Sequence, residues 1–182
     1  MSKIVLMTGP PGSGKTTIAS EVAKKFPKSL HIQVDHLREM MVNGVELPDS
    51  GFTDEANRQF QWARSTATYM AKLYADQGVF VVIDGVSVPE KFQDHYTELF
   101  DIPAVQRVLL LPAASKLIGR MRNRGGVWED DLIKHVPWFY SYLDSMSKDG
   151  WIVLDTGDWT IEQTVSEVLE RIDAAPGAPN PA

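Results

Sequence analysis

The stretch Ile4-Val5-Leu6-Met7-Thr8-Gly9-Pro10-Pro11-Gly12-Ser13-Gly14-Lys15-Thr16-Thr17, residues 4–17, decides the fold. Its apolar run reads as a buried strand. The chain then enters a turn rich in glycine and proline and leaves it on helix-forming residues. Gly9, four residues, then Gly14-Lys15-Thr16 is the spacing of a phosphate-binding loop, or Walker A motif. Gly9, Gly12 and Gly14 let the backbone turn tightly enough to aim consecutive N–H groups at a polyphosphate. Pro10, Pro11, Ser13 and Thr17 complete the expected nucleotide-binding set. The helix beginning near Lys15 adds its positive end to the same anion site. Lys15 is expected to reach the terminal phosphates, and the Thr16 hydroxyl to hold Mg²⁺. Given average glycine usage, this pattern should arise by chance in fewer than ~1 in 100 chains of this length. The chain is therefore expected to bind a nucleoside triphosphate.

The chain has 182 residues, which suits one domain with a sizeable core. A hydrophobic content of 43% and a charged content of 23% are ordinary for a soluble globular protein. The net charge of −6 argues against a general affinity for nucleic acid or anionic membrane. With no cysteine, disulfides, thiolate metal sites and cysteine nucleophiles are excluded. Gly9 interrupts the apolar run too early for a signal peptide, and no stretch approaches membrane-spanning length. A cytoplasmic location is expected.

Outward from the loop, strands are expected at 3–8, 30–34, 79–83, 105–111 and 151–154, alternating with helices. The helix from residue 15 should stop at Pro27. Asp35 should open a helix reaching about Val42. Thr53 reads as the N-cap of a long helix whose inward stripe is Ala56, Phe60, Ala63, Ala67, Met70 and Tyr74. Pro89 should start a further helix with Phe92, Tyr96 and Leu99 inward. A helix from about Ala113 carries Arg120, Arg122 and Arg124 up to Gly125-Gly126. The next helix, from residue 129 or 130, contains Pro137, where a kink is expected. Thr160 and Gln163 are placed for a capping box on the last helix. Residues 174–182 should form a disordered tail. The expected fold is α/β: a three-layer P-loop fold, with a five-stranded parallel sheet, helices on both faces and a small helical lid at about 120–128. Residues 1–173 form a single domain. In such sheets ligands sit beyond the carboxyl ends of the strands, so Asp35, Asp84 and Asp155 should share the edge of the phosphate loop.

Two acids on that edge have roles the sequence leaves interchangeable. Asp35 and Arg38 lie three apart on a helix, so both side chains point the same way. The acid can take a proton from an attacking hydroxyl while the arginine holds the acceptor. Asp84 ends the most hydrophobic strand, read as central, where P-loop proteins place an acid for Mg²⁺ or its waters. The strand before Asp35 is expected beside the phosphate loop. Arg120 and Arg124 share a helical face and can close over the transferring group. Trp138, Phe139, Tyr140 and Tyr142 read first as core packing. His31, His36, His95 and His135 show no metal-ligand spacing and read as structural or surface residues.

With GPPGSGKTT, Asp35-His36-Leu37-Arg38, the strand ending at Asp84 and the arginines at 120 and 124, the chain resembles small P-loop kinases over about residues 3–172. It looks closest to the group containing chloramphenicol phosphotransferase, zeta-toxin-like kinases and the kinase domain of bacteriophage polynucleotide kinase. The resemblance implies that Lys15 and Thr16 bind phosphate and Mg²⁺ and that Asp35 is the general base. Arg38 would match an arginine that grips the acceptor's phosphate. Arg124 would be the lid arginine on the donor phosphates, Arg120 would lie near the adenine, and Thr156 would fall in the loop flanking it. One departure is that residues 39–57 contain no Lys or Arg and include Val45, Leu47 and Phe52. That weighs against a polynucleotide and for a small, partly apolar hydroxyl compound. The expected activity is transfer of the γ-phosphate of Mg·ATP to such a hydroxyl. A polynucleotide 5′-hydroxyl kinase and a nucleotide-binding regulatory NTPase are the alternatives.

Overall fold

In the computed structural model, residues 3–46, 53–86, 93–103, 105–124, 129–145 and 147–174 are described. Ile4–Thr8 form strand β1, buried at every position. Its alternation feeds two cores. Ile4 and Leu6 join one cluster, and Val5 and Met7 join the cluster on the opposite face. Full burial of each such side chain contributes about 1.5–3 kcal/mol, which is why an unbroken apolar run belongs in a sheet covered on both faces.

The other strands are β2 (Ser29–Gln33), β3 (Phe80–Asp84), β4 (Val105–Leu110) and β5 (Trp151–Leu154). All pairings are parallel, in the order β2-β3-β1-β4-β5. Helices α1 (Lys15–Ala23) and α7 (Ile161–Ala174) cover one face, through Ile18, Val22, Val165, Val168 and Ile172. The other face is covered by α3 (Asp54–Asp76) and by the segment that contains α4 (Thr97–Phe100). The α/β architecture is thus the expected one. The five parallel strands end on one edge, where Asp35, Asp84 and Asp155 lie.

Strand order departs from expectation. The central strand is β1, and β3 lies between it and the edge strand β2. Asp84 therefore ends the strand beside the phosphate loop, and Asp35 stands one strand further out. The order of a parallel sheet is set by which crossovers pack, and no local pattern encodes it.

Short helix α2 (Val34–Glu39) ends sooner than expected, while Asp35 sits in its first turn. The inward stripe of α3 is Ala56, Gln59, Ala63, Arg64, Ala67, Thr68, Ala71 and Ala75, and Tyr74 is exposed. Small residues let this helix lie close to the sheet, so the alanines rather than the tyrosine define its buried face. Its N-cap is the expected Thr53, whose Oγ1 accepts from Ala56 N at 3.0 Å. Tyr96 and Leu99 point inward as expected, whereas Pro89 and Phe92 lie outside the described residues. Thr160 and Gln163 make both halves of the capping box, at 2.8 and 3.2 Å. Helices α5 (Ala114–Arg124) and α6 (Glu129–Ser145) pack through Leu117, Met121 and Val136, and α6 continues through Pro137. The Gly125-Gly126 hinge and residues 125–128 of the expected lid lie outside the described residues, as do residues 175–182.

Candidate active site

Local chemistry shapes the loop between β1 and α1. Ser13 N donates to Pro10 O at 3.1 Å, which closes the turn over Pro11 and Gly12. A Cβ on Gly9 would stand 2.5 Å from Leu110 O, so only glycine lets the loop leave β1 against β4. Gly12 has φ +83°, and a Cβ there would meet Met121 Cγ at 2.7 Å. Helix α5 thus lies directly against the phosphate loop. Gly14, Lys15, Thr16 and Thr17 bring the chain into α1, with Lys15 buried and Thr16 and Thr17 exposed.

Thr16 Oγ1 donates to Asp84 Oδ1 at 3.0 Å. Asp84 is 3% exposed, and its Oδ2 meets His31 Nε2. A hydroxyl and a carboxylate, next to a loop built for phosphates, are a fitting partial ligand set for Mg²⁺, which keeps several waters and phosphate oxygens of its own. Among the described residues no cluster of three or more His, Cys, Asp or Glu side chains could hold a metal ion.

On the β2 side, Asp35, Arg38 and Arg64 come together. Arg38 is 9% exposed and Arg64 2%. Their guanidinium carbons lie 4.2 and 5.1 Å from the ring centroid of Phe60. Arg64 donates to Val86 O at 3.1 Å and lies 2.9 Å from His95 Nδ1. Burial lowers the Arg64 pKa, Tyr96 and Asp35 oppose that shift, and the like charge of Arg38 adds to it. Arg38 Nε and Nη1 are buried and have no hydrogen-bond partner among the described residues. Gln59 holds the α2–α3 connection over this side, donating to Gly44 O at 2.8 Å and accepting from Glu46 N at 3.0 Å.

At the opposite side of the loop is a cleft of about 330 Å³. Gly12, Ser13, Gly14 and Thr17 line one wall, and Arg120, Thr156, Trp159 and Ile161 line another. Arg120 donates to Thr156 O and, at 3.2 Å, to Gly157 O. It therefore organises the loop after β5 instead of standing free over the phosphates. Thr156 Oγ1 is buried there with no partner among the described residues. Tyr140 donates its hydroxyl to Pro112 O, and burial, with Asp155 nearby, pushes its pKa up to about 12. It stays protonated and braces α6 against the end of β4. Asp155 itself is exposed and accepts from Gly157 N at 3.0 Å, a turn-forming role. Arg124 closes α5, and its side chain lies outside those described.

Three participants were not singled out in the sequence: Arg64, Trp159 and Ile161. His31, expected to be structural or at the surface, meets the Asp84 carboxylate. Arg64 lies four residues beyond Phe60 on α3, but next to alanines it reads from the sequence as a solvent-facing charge. Its presence also changes the inference from the missing basic residues in 39–57, because the charge reaches the site from α3. If Trp159 forms a wall for the base, ATP should quench part of the tryptophan fluorescence, and Trp159→Phe should lose that change. An equal response in the variant would put the base elsewhere.

The family described as AAA domain matches residues 4–130. The probable adenylyl-sulfate kinase of Aeropyrum pernix (strain ATCC 700893 / DSM 11879 / JCM 9820 / NBRC 100138 / K1) is 26% identical over 173 residues, covering 94% of this chain and 92% of that protein. The probable adenylyl-sulfate kinase of Pyrococcus abyssi (strain GE5 / Orsay) is 30% identical over 91 residues, so that match spans half of each chain. The crystal structure of a sugar kinase from Janibacter sp. HTCC2649 superposes with a TM-score of 0.69 at 27% identity, over 100% of both chains.

Proposed function

Since the chain belongs to this AAA domain family, we propose that it is a kinase that moves the γ-phosphate of Mg·ATP onto a hydroxyl of a small, negatively charged acceptor. The observation that carries the proposal is the buried Arg38, with two unpartnered nitrogens, beside Arg64 and the half-buried Asp35. Buried guanidinium nitrogens without hydrogen-bond partners cost folding energy, and an oxyanion seated against them offsets that cost. Two like charges lie around one ring with Asp35 as a nearby counter-charge, and a further anion would offset their repulsion. The relatives described as adenylyl-sulfate kinases are named for an anionic acceptor, which agrees with this chemistry.

Each residue then has a task. Arg38 and Arg64 orient the acceptor by its anion, and Phe60 supplies an apolar wall between them. Asp35 takes the proton of the acceptor hydroxyl as that oxygen forms its bond to the γ-phosphorus and the bond to the bridging oxygen breaks, which releases ADP. Lys15 and the N–H groups of Gly12, Gly14, Lys15 and Thr16 hold the terminal phosphates. Thr16 and Asp84 would hold Mg²⁺, which neutralises phosphate charge when bound. Arg120 and Thr156 shape the base site with Trp159, and Arg124 takes the donor phosphates, a role that rests on the family resemblance.

The test is acceptor-stimulated ADP release with matched pairs that differ only in an anionic group. Examples are gluconate against glucitol and a nucleoside 5′-monophosphate against its nucleoside, with a 5′-hydroxyl oligonucleotide alongside. Charged members should exceed their neutral partners in kcat/KM by about 10- to 100-fold, and Arg38→Met should remove that preference. Equal rates within each pair would exclude an anionic acceptor. Stimulation by the oligonucleotide alone would favour a polynucleotide 5′-hydroxyl kinase.

A further inference from the structure

We propose that His31 is a positioning residue for the metal site, holding the Asp84 carboxylate in the orientation that presents Oδ1 to Thr16. The inference rests on the reading of Thr16 and Asp84 as the Mg²⁺-binding pair. His31 lies in the middle of β2, in register with Val82, while Gln33 is in register with Asp84. The imidazole therefore reaches along the sheet toward the end of β3 from a backbone already fixed by the parallel ladder. The His31 side chain is 14% exposed and that of Asp84 4%.

The two carboxylate oxygens are divided between two partners. Oδ1 accepts from Thr16 at 3.0 Å, and Oδ2 meets His31 Nε2. An ionised carboxylate only accepts, so Nε2 carries the hydrogen in this contact. Rotation about the last torsion of an aspartate is soft and roughly two-fold, so one hydrogen bond alone leaves the carboxylate plane poorly determined. Two bonds, one to each oxygen, fix it. Without His31, Oδ2 would be buried with that donor removed, and the carboxylate would turn to find another. The oxygen facing Thr16 would then be misaimed, although no residue touching nucleotide had changed. Supporting partners of this kind commonly affect metal affinity by about 10- to 100-fold.

A merely structural role for His31, tying the edge strand β2 to β3, would lower the melting temperature and leave metal binding alone. The experiment therefore measures metal directly. Mn²⁺ serves as the paramagnetic probe, and its free-ion signal is titrated against protein saturated with ADP. His31→Leu is expected to weaken Mn²⁺ binding about 10-fold. His31→Gln, whose amide N–H can occupy the place of Nε2–H, should retain most of the affinity. Asp84→Asn should weaken Mn²⁺ at least as much as His31→Leu. If His31→Leu does not fold, His31→Asn, too short to reach Oδ2, makes the same comparison with a polar side chain.

Wild-type Mn²⁺ affinity in His31→Leu or His31→Asn, with weakened binding in Asp84→Asn, would overturn the role of His31 and leave the Asp84 assignment standing. Unchanged affinity in Asp84→Asn as well would overturn both. Loss in His31→Gln equal to that in His31→Leu would also overturn the proposal, because it would show that the hydrogen bond is not what matters.

Discussion

Asp35→Asn should bind Mg·ATP with near-normal affinity and lose phosphotransfer by about 10²- to 10⁴-fold, the usual range for a missing general base. Asparagine keeps the shape and accepts hydrogen bonds but cannot take a proton. Asp35 stands two residues beyond β2, in the first turn of α2, on the helix that also carries Arg38. It is near enough to Arg64 for its charge to favour the protonated guanidinium. The acid and the anion-binding arginines thus belong to one acceptor site. Asp84 has other engagements, since both of its oxygens are occupied by Thr16 and His31. Asp84→Asn should instead shift the Mg²⁺ concentration needed for half-maximal rate. If Asp84→Asn lost turnover at every Mg²⁺ concentration while Asp35→Asn changed only the metal requirement, the two roles would be reversed.

Lys15→Ala should reduce kcat/KM by about 10³-fold or more and sharply weaken triphosphate binding. A single preorganised donor to developing charge is worth about 10²- to 10³-fold, and Lys15 also binds the ground-state phosphates. The side chain is buried at the start of α1, where the helix end and the loop N–H groups converge on the same anion. The hydrophobic clusters among the described residues are built from other side chains, so circular dichroism and gel filtration should match wild type. Normal ATP binding and turnover in this variant would contradict the assignment of residues 9–16 as a phosphate loop.

Much of this architecture is legible without coordinates, because the signals are local. The apolar run before Gly9, the Thr53 N-cap and the Thr160–Gln163 capping box each state their structure within a few residues. The acceptor side is different. Arg64 sits among Ala63 and Ala67, and a charged residue in that setting reads as solvent-facing until α3 is seen lying beside α2. His31 occupies an edge strand of mixed burial, so its inward orientation follows only from the register of β2 with β3. Trp159 belongs to no motif and acquires meaning from the cleft that Arg120 and Thr156 build around it. What stayed hidden is therefore what depends on the order of strands and on which helices meet across it.

The central claim is that the phosphate goes to an organic hydroxyl and that water is not its destination. Incubation with γ-labelled ATP, Mg²⁺ and the best charged compound of the matched pairs, followed by separation of products, decides this most directly. The label should appear in an acid-stable phosphate monoester, in amounts equal to the ADP formed and abolished by Asp35→Asn. Label found only as inorganic phosphate, at a rate indifferent to every acceptor, would contradict the account and mark the protein as a nucleotide hydrolase.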